Sequence, residues 1–164
     1  MSATDRLVAN NTAFAGHFDL GHLKASPTSH LAVLMCMDSR IDTFRAFGLT
    51  AGEAHIIRNA GGVATDDAIR SLMLSQRVLA TEEIVLIHHT DCGLLGASEY
   101  ELYQQIHAET GVRPGFSLEA FTDVEEDVRR TARKIKATPF LRHDRMRGFV
   151  YQVETGRALE VELY

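Results

Sequence analysis

Two short stretches of the chain concentrate residues able to do chemistry. LAVLMCMDSR, residues 31–40, ends an apolar run with Cys36, Asp38 and Arg40 on alternate positions. In an extended chain, residues two apart share one face, so a thiol, a carboxylate and a guanidinium are expected to project together. HHTDCG, residues 88–93, carries His89 and Cys92 in an H-x-x-C spacing, around a tight turn that Gly93 can help close. With Cys36 they make two soft thiolates and one imidazole, a ligand set suited to zinc. Three protein ligands leave the fourth tetrahedral position open, the pattern of a catalytic site; a structural site is normally closed by a further Cys or His. The chain contains only two cysteines, so no third thiolate is available to close it.

These residues need a scaffold that brings residues 36 and 89 together. HLAVLMCM (30–37), AHIIR (54–58) and EEIVLIHH (82–89) read as buried strands, the last almost continuously apolar, as expected where both faces are covered. Residues around 4–18 read as an N-terminal helix. The segment 66–80 places Ile69, Leu72, Met73 and Leu79 near helical spacing, with capping and acidic first-turn chemistry from Thr65, Asp66 and Asp67. Further helices are expected over 98–109 and 122–136, the second stopping before Pro139. RGFVYQV (147–153), the turn ETGR and ALEVEL (158–163) read as a closing strand pair. Strands alternating with helices imply an α/β fold: a single domain over residues 1–164, a mainly parallel sheet flanked by helices, and an antiparallel edge hairpin at the C-terminus. Ligands of such sheets bind beyond the carboxyl ends of the strands, where Cys36, Asn59 and His89 all fall.

Composition narrows the function classes. The 164 residues suffice for one sizeable core, and 45% hydrophobic with 24% charged residues is ordinary for a globular protein. A net charge of −5 speaks against a general nucleic-acid or acidic-membrane binder. The basic stretch Arg129, Arg130, Arg133, Lys134 and Lys136 is read as a solvated helix face balanced by Asp123, Glu125, Glu126 and Asp127. No apolar run is long enough to cross a bilayer, and MSATDRLVANN lacks the apolar centre of a signal peptide, so the cytoplasm is the expected compartment. NAGG is too short for a phosphate-binding fingerprint, and no G-K-[ST] follows it.

C-x-D-x-R at one strand end, then RNAGG (58–62), then H-x-x-C-G after another strand, resembles the β-class carbonic anhydrases in motif order, spacing and length. The resemblance is to the short bacterial and fungal members, a group that includes carbonyl sulfide hydrolases. It implies Cys36, His89 and Cys92 as zinc ligands, Asp38 and Arg40 as the catalytic dyad, and Gly61 and Gly62 as the backbone beside the substrate. It also implies a homodimer, or an assembly of dimers, with the cleft near the subunit interface.

The reaction so implied is reversible hydration of CO2 to bicarbonate by a zinc-bound hydroxide. Asp38 would accept a hydrogen bond from the nucleophile, and Arg40 would clamp Asp38 and favour its ionised form. A proton must leave in each cycle, with His88, His55 and buffer as candidate carriers. Hydrolysis of carbonyl sulfide or carbon disulfide would use the same residues, and a non-catalytic zinc module would have no need of Asp38 and Arg40. His88 precedes a ligand in an extended segment, so it is expected to face the other way and be structural. A bicarbonate pocket that closes some β-class sites uses a tryptophan three residues before the first cysteine. Here that position is Val33, and although Arg58 fits the pocket's arginine, the set is incomplete.

Overall fold

A computed structural model describes residues 1–164. Its elements run α1 (Ala3–Ala15), β1 (Leu31–Cys36), α2 (Thr43–Phe47), β2 (Ala54–Asn59), a 3-10 turn (Ala60–Gly62), α3 (Asp66–Arg77), β3 (Glu83–His89), α4 (Glu99–Thr110), α5 (Val124–Ala137), β4 (Arg145–Tyr151) and β5 (Ala158–Val161). The five strands form one sheet in the order β2-β1-β3-β4-β5; all neighbours are parallel except β4 and β5. The expected α/β architecture and its C-terminal antiparallel pair are therefore present.

Strand order explains why residues 36 and 89 meet. From β1 the chain crosses to β2 on one side, then returns past β1 to lay β3 on the other side. Cys36 pairs with Asn59 in the β1–β2 register, and Met35 pairs with Ile87 in the β1–β3 register. The last residues of three adjacent strands thus share one end of the sheet, where the winding direction reverses and a crevice opens.

One sheet face carries the main core. Ala32 and Leu34 of β1, with Ile84 and Leu86 of β3, pack against Ala68 and Leu72 of α3 and Val128, Ala132 and Ile135 of α5. Full burial of side chains such as Leu34, Leu72, Leu86 and Ile135 contributes about 1.5–3 kcal/mol each. Helix starts follow their caps: the Thr65 side chain accepts the Ala68 amide at α3, and Asp123 accepts the Glu126 amide at α5. The acidic and basic residues of α5 pair along its exposed face, Arg129 with Glu125 and Arg133 with Glu126.

The other sheet face differs from the expectation for β3. Val33, Met35, Ile41 and Ile87 form only a small cluster there, with α2 supplying Phe47. Much of that face is an apolar depression of ≈ 320 Å³ lined by Leu31, Val33, Phe47, Val85, Ile87 and Phe149, among others. The apolar run of β3 is thus two-sided, but within one chain long helices cover a single side. Helix α1 buries none of its residues and leaves Leu7, Val8 and Phe14 exposed. No helix is long and apolar enough to cross a membrane.

Candidate metal centre

Cys36, His89 and Cys92 converge: their ligand atoms lie within 4.8 Å of one another, and all three side chains are buried. Cys36 is the final residue of β1 and His89 the final residue of β3. Cys92 arrives through a turn in which Asp91 adopts φ 53. That turn is closed by Asp91 rather than by Gly93, whose φ is not in the left-handed region. Asp tolerates the left-handed region because its short polar side chain bonds locally.

The donor set fits a cation on two observations. His89 Nδ1 donates to the Thr90 carbonyl at 2.7 Å, which leaves Nε2 as the free lone pair, and Nε2 is buried without a hydrogen-bond partner. Fixing one ring nitrogen on a carbonyl is how a ligating imidazole is oriented. The Cys36 and Cys92 thiols lie side by side, so one ionises at the expense of the other: the Cys36 thiol is lowered and the Cys92 thiol is pushed up. Two adjacent thiolates repel, so ionising both needs a cation among them.

Asp38 and Arg40 reach the centre by a different route from simple strand alternation. β1 ends at Cys36, and residues 37–40 leave the sheet in a turn. Asp38 Oδ1 accepts the Arg40 backbone amide at 2.9 Å, a local turn bond two residues on. The Arg40 guanidinium then closes on the same carboxylate, Nε to Oδ1 at 3.0 Å and Nη2 to Oδ2 at 2.8 Å. This fork geometry fixes the carboxylate plane. The hydrogen bonds from Arg40 hold the Asp38 carboxyl well below the usual carboxylate range. Asp38 Oδ2 lies 3.8 Å from His89 Nε2, so the ionised oxygen faces the thiol–imidazole group.

The contacts of two residues, Asp91 and Arg58, were not legible from motif spacing. Asp91 accepts Arg40 Nη1 at 2.7 Å, and its carbonyl accepts Nη2 at 2.9 Å, so the turn residue also anchors the arginine. Arg58 spends its donors on three carbonyls of the loop that bears the dyad: Cys36 at 2.9 Å, Asp38 at 2.7 Å and Ile41 at 3.1 Å. Its place at the end of β2, next to the end of β1, was the available signal. Of the two histidines named as proton carriers, His88 has no exposed surface, and His55 engages Ser75 and the Ala25 carbonyl.

Gly61 and Gly62 both have positive φ, 81° and 74°. A Cβ on Gly62 would sit 2.8 Å from the Cys36 nitrogen and 2.9 Å from the Met35 carbonyl carbon, neither of which can yield. The glycine therefore lets the loop backbone lie directly against the end of β1. Gly62→Ala is expected to destabilise the fold by about 2–5 kcal/mol, combining left-handed strain with overpacking. Urea unfolding checks this, with Gly93→Ala as the control, because nothing lies within 4 Å of a Cβ there.

Comparison with known proteins follows the same residues. The family profile for carbonic anhydrase matches residues 31–113. Beta-carbonic anhydrase 1 of Mycobacterium tuberculosis is 49% identical over 162 residues, covering 98% of this chain and 99% of that protein. A carbon disulfide hydrolase of Acidithiobacillus thiooxidans is 34% identical over 148 residues, covering 77% of this chain and 74% of its own. The crystal structure of carbonic anhydrase from Streptococcus mutans superposes with a TM-score of 0.92 at 40% identity, covering 99% of each chain.

Proposed function

We infer from one established premise, that this chain belongs to the β-class carbonic anhydrase family, that it is a zinc enzyme catalysing reversible hydration of CO2 to bicarbonate. The observation that carries the reading is the pairing of a three-donor buried centre with an ionised, clamped Asp38 facing it. Cys36, His89 and Cys92 would hold the metal, with residues 1–164 acting as one catalytic domain. Zinc, when bound, supplies Lewis acidity that lowers the pKa of water at its open position.

The remaining work belongs to the chain. Asp38 Oδ2, held ionised by Arg40, can only accept, so it orients the O–H of the attacking water and directs a lone pair toward the incoming carbon. Arg40 is held from both sides, by Asp38 and by Asp91, and cannot follow Asp38 out of register. The Gly61–Gly62 backbone, free of side chains, offers N–H groups beside the substrate oxygen. A non-catalytic zinc module would leave this dyad without a purpose.

A second reading is carried by the similarity to the carbon disulfide hydrolase: hydrolysis of carbon disulfide or carbonyl sulfide at the same centre. Those substrates are linear and electrophilic at carbon, as CO2 is, so the same donors and dyad serve. Steady-state CO2 hydration measured beside carbonyl sulfide and carbon disulfide hydrolysis, on one metal-quantified preparation, separates the two. Higher kcat/KM on CO2 is expected; sulfide release as the dominant activity would replace the first reading with the second.

The working unit in this reading is a homodimer, or an assembly of dimers. The support is the apolar depression where Val85 and Phe149 are only half-buried, together with the α1 helix, none of whose residues is buried in its own chain. Val85→Glu places a charge on that face and should shift the sedimenting species to monomer. An unchanged dimer would put the interface elsewhere. A cytoplasmic location also belongs to this reading, because Cys36 and Cys92 must remain thiols to hold a metal and reducing compartments keep them so.

A further inference from the structure

His88 has an unusual environment for a residue beside a metal ligand. Its side chain is fully buried, on the sheet face opposite His89 and against α5. The same strand places Leu86 on that face within the main core, where an aliphatic residue would pack without any polar demand. A buried imidazole is costly unless its nitrogens find partners, so the partners it has are informative. Nε2 lies 3.1 Å from the Gly62 carbonyl oxygen. A carbonyl only accepts, so the Nε2 hydrogen is committed there. Nδ1 lies 3.1 Å from Asp127 Oδ2, a close contact rather than an aligned hydrogen bond, and Asp127 is itself fully buried and paired with Arg130.

We propose that His88 is a positioning residue for the Gly61–Gly62 loop, holding the Gly62 carbonyl so that the loop backbone keeps its orientation beside Cys36. The loop has two glycines at positive φ, the residues with the widest backbone freedom, and so needs an external anchor. Asn59 supplies one anchor, its Nδ2 donating to the Val63 carbonyl at 2.9 Å. His88 supplies the other, one residue earlier and from the opposite strand. The inference rests on the proposed hydration function for its kinetic consequence but not for its structural one.

Two amide substitutions separate the nitrogens. The His88→Gln amide nitrogen reaches the Nε2 place and can still donate to Gly62. The His88→Asn amide nitrogen occupies the Nδ1 place, meets Asp127 and falls short of Gly62. At full zinc content, His88→Asn should lose about 10–100-fold in kcat/KM for CO2 hydration, the scale of an outer-shell partner, with His88→Gln recovering most of it. Independently of any activity, the Gly61, Gly62 and Val63 amides should lose hydrogen-exchange protection in the Asn variant and regain it in the Gln variant. If the Asn variant matched or exceeded the Gln variant in exchange protection, the Asp127 contact would be the one that matters and the proposal would fall. A loss that simply tracked zinc content would also overturn it, assigning His88 to the His89 strand instead. A wild-type enzyme inactive on CO2 but showing the predicted exchange pattern would sink the hydration reading and leave the anchor standing.

Discussion

Asp38→Ala is expected to lower kcat/KM for CO2 hydration by about 10²-fold or more while zinc content and fold stay as in the wild type. The size follows from what the side chain does and does not touch. Asp38 is not part of the core cluster, and the carboxylate is not one of the three clustered donors, so its removal should leave the core and those donors in place. Its bonds go to Arg40, and its remaining capacity faces the centre, 3.8 Å from His89 Nε2. An acceptor held there at low pKa favours one orientation of the water O–H, and that positioning is the group's contribution to rate. Zinc analysis, a thermal melt and stopped-flow hydration on the same sample check the three parts together. Near-full activity at saturating zinc would remove Asp38 from the reaction and leave the metal and the Gly61–Gly62 loop to account for it. Arg40→Ala should be less clean, since it frees Asp38 and also unties the Asp91 turn that delivers Cys92.

Cys92→Ser is expected to fail at the metal rather than at the dyad. A serine hydroxyl stays neutral near pH 7 and is a harder, weaker donor than thiolate, so the site keeps one thiolate and one imidazole. Zinc affinity should fall by well over the about 10–100-fold that an outer-shell partner costs, and the variant should emerge from dialysis largely metal-free. Activity should follow occupancy. Because Cys92 packs with Cys36, Leu94 and Phe121, and serine is nearly isosteric, the protein should still fold. Competition against a chelator of known affinity measures the effect; unchanged affinity would take Cys92 out of the ligand set.

The sequence carried the site further than it carried the surroundings. Cys36, His89 and Cys92 stood out because the chain has only two cysteines, Cys36 and His89 end apolar runs, and Cys92 follows His89 at ligand spacing. β3 and β1 were readable for the same reason, their apolar composition leaving few alternatives. Strand alternation predicted that Asp38 and Arg40 converge, and they do so by another route. They converge through a turn bond between Asp38 Oδ1 and the Arg40 amide, since the strand has already ended at Cys36. The short helix α2 escaped notice because five residues are too few to show a period. The carbonyl partners of Arg58, the Arg40–Asp91 pair and the His88–Gly62 contact were invisible because each joins residues from separate elements, here 51 positions apart for Arg40 and Asp91. No local pattern encodes such a meeting; it follows from the strand order that sets β2, β1 and β3 side by side. The apolar depression on the second sheet face was hidden too, because a strand apolar on both sides reads the same whether or not a long helix of its own chain covers that face.

The central claim is that this chain hydrates CO2 at a zinc held by two thiols and one imidazole. The most direct measurement titrates zinc into metal-stripped protein and follows CO2 hydration by stopped flow. The account predicts that activity rises linearly with zinc, saturates at one zinc per chain, and stays near background when the same titration is run on Asp38→Ala. Full zinc uptake without CO2 hydration in the wild type, or equal hydration by Asp38→Ala, would contradict it.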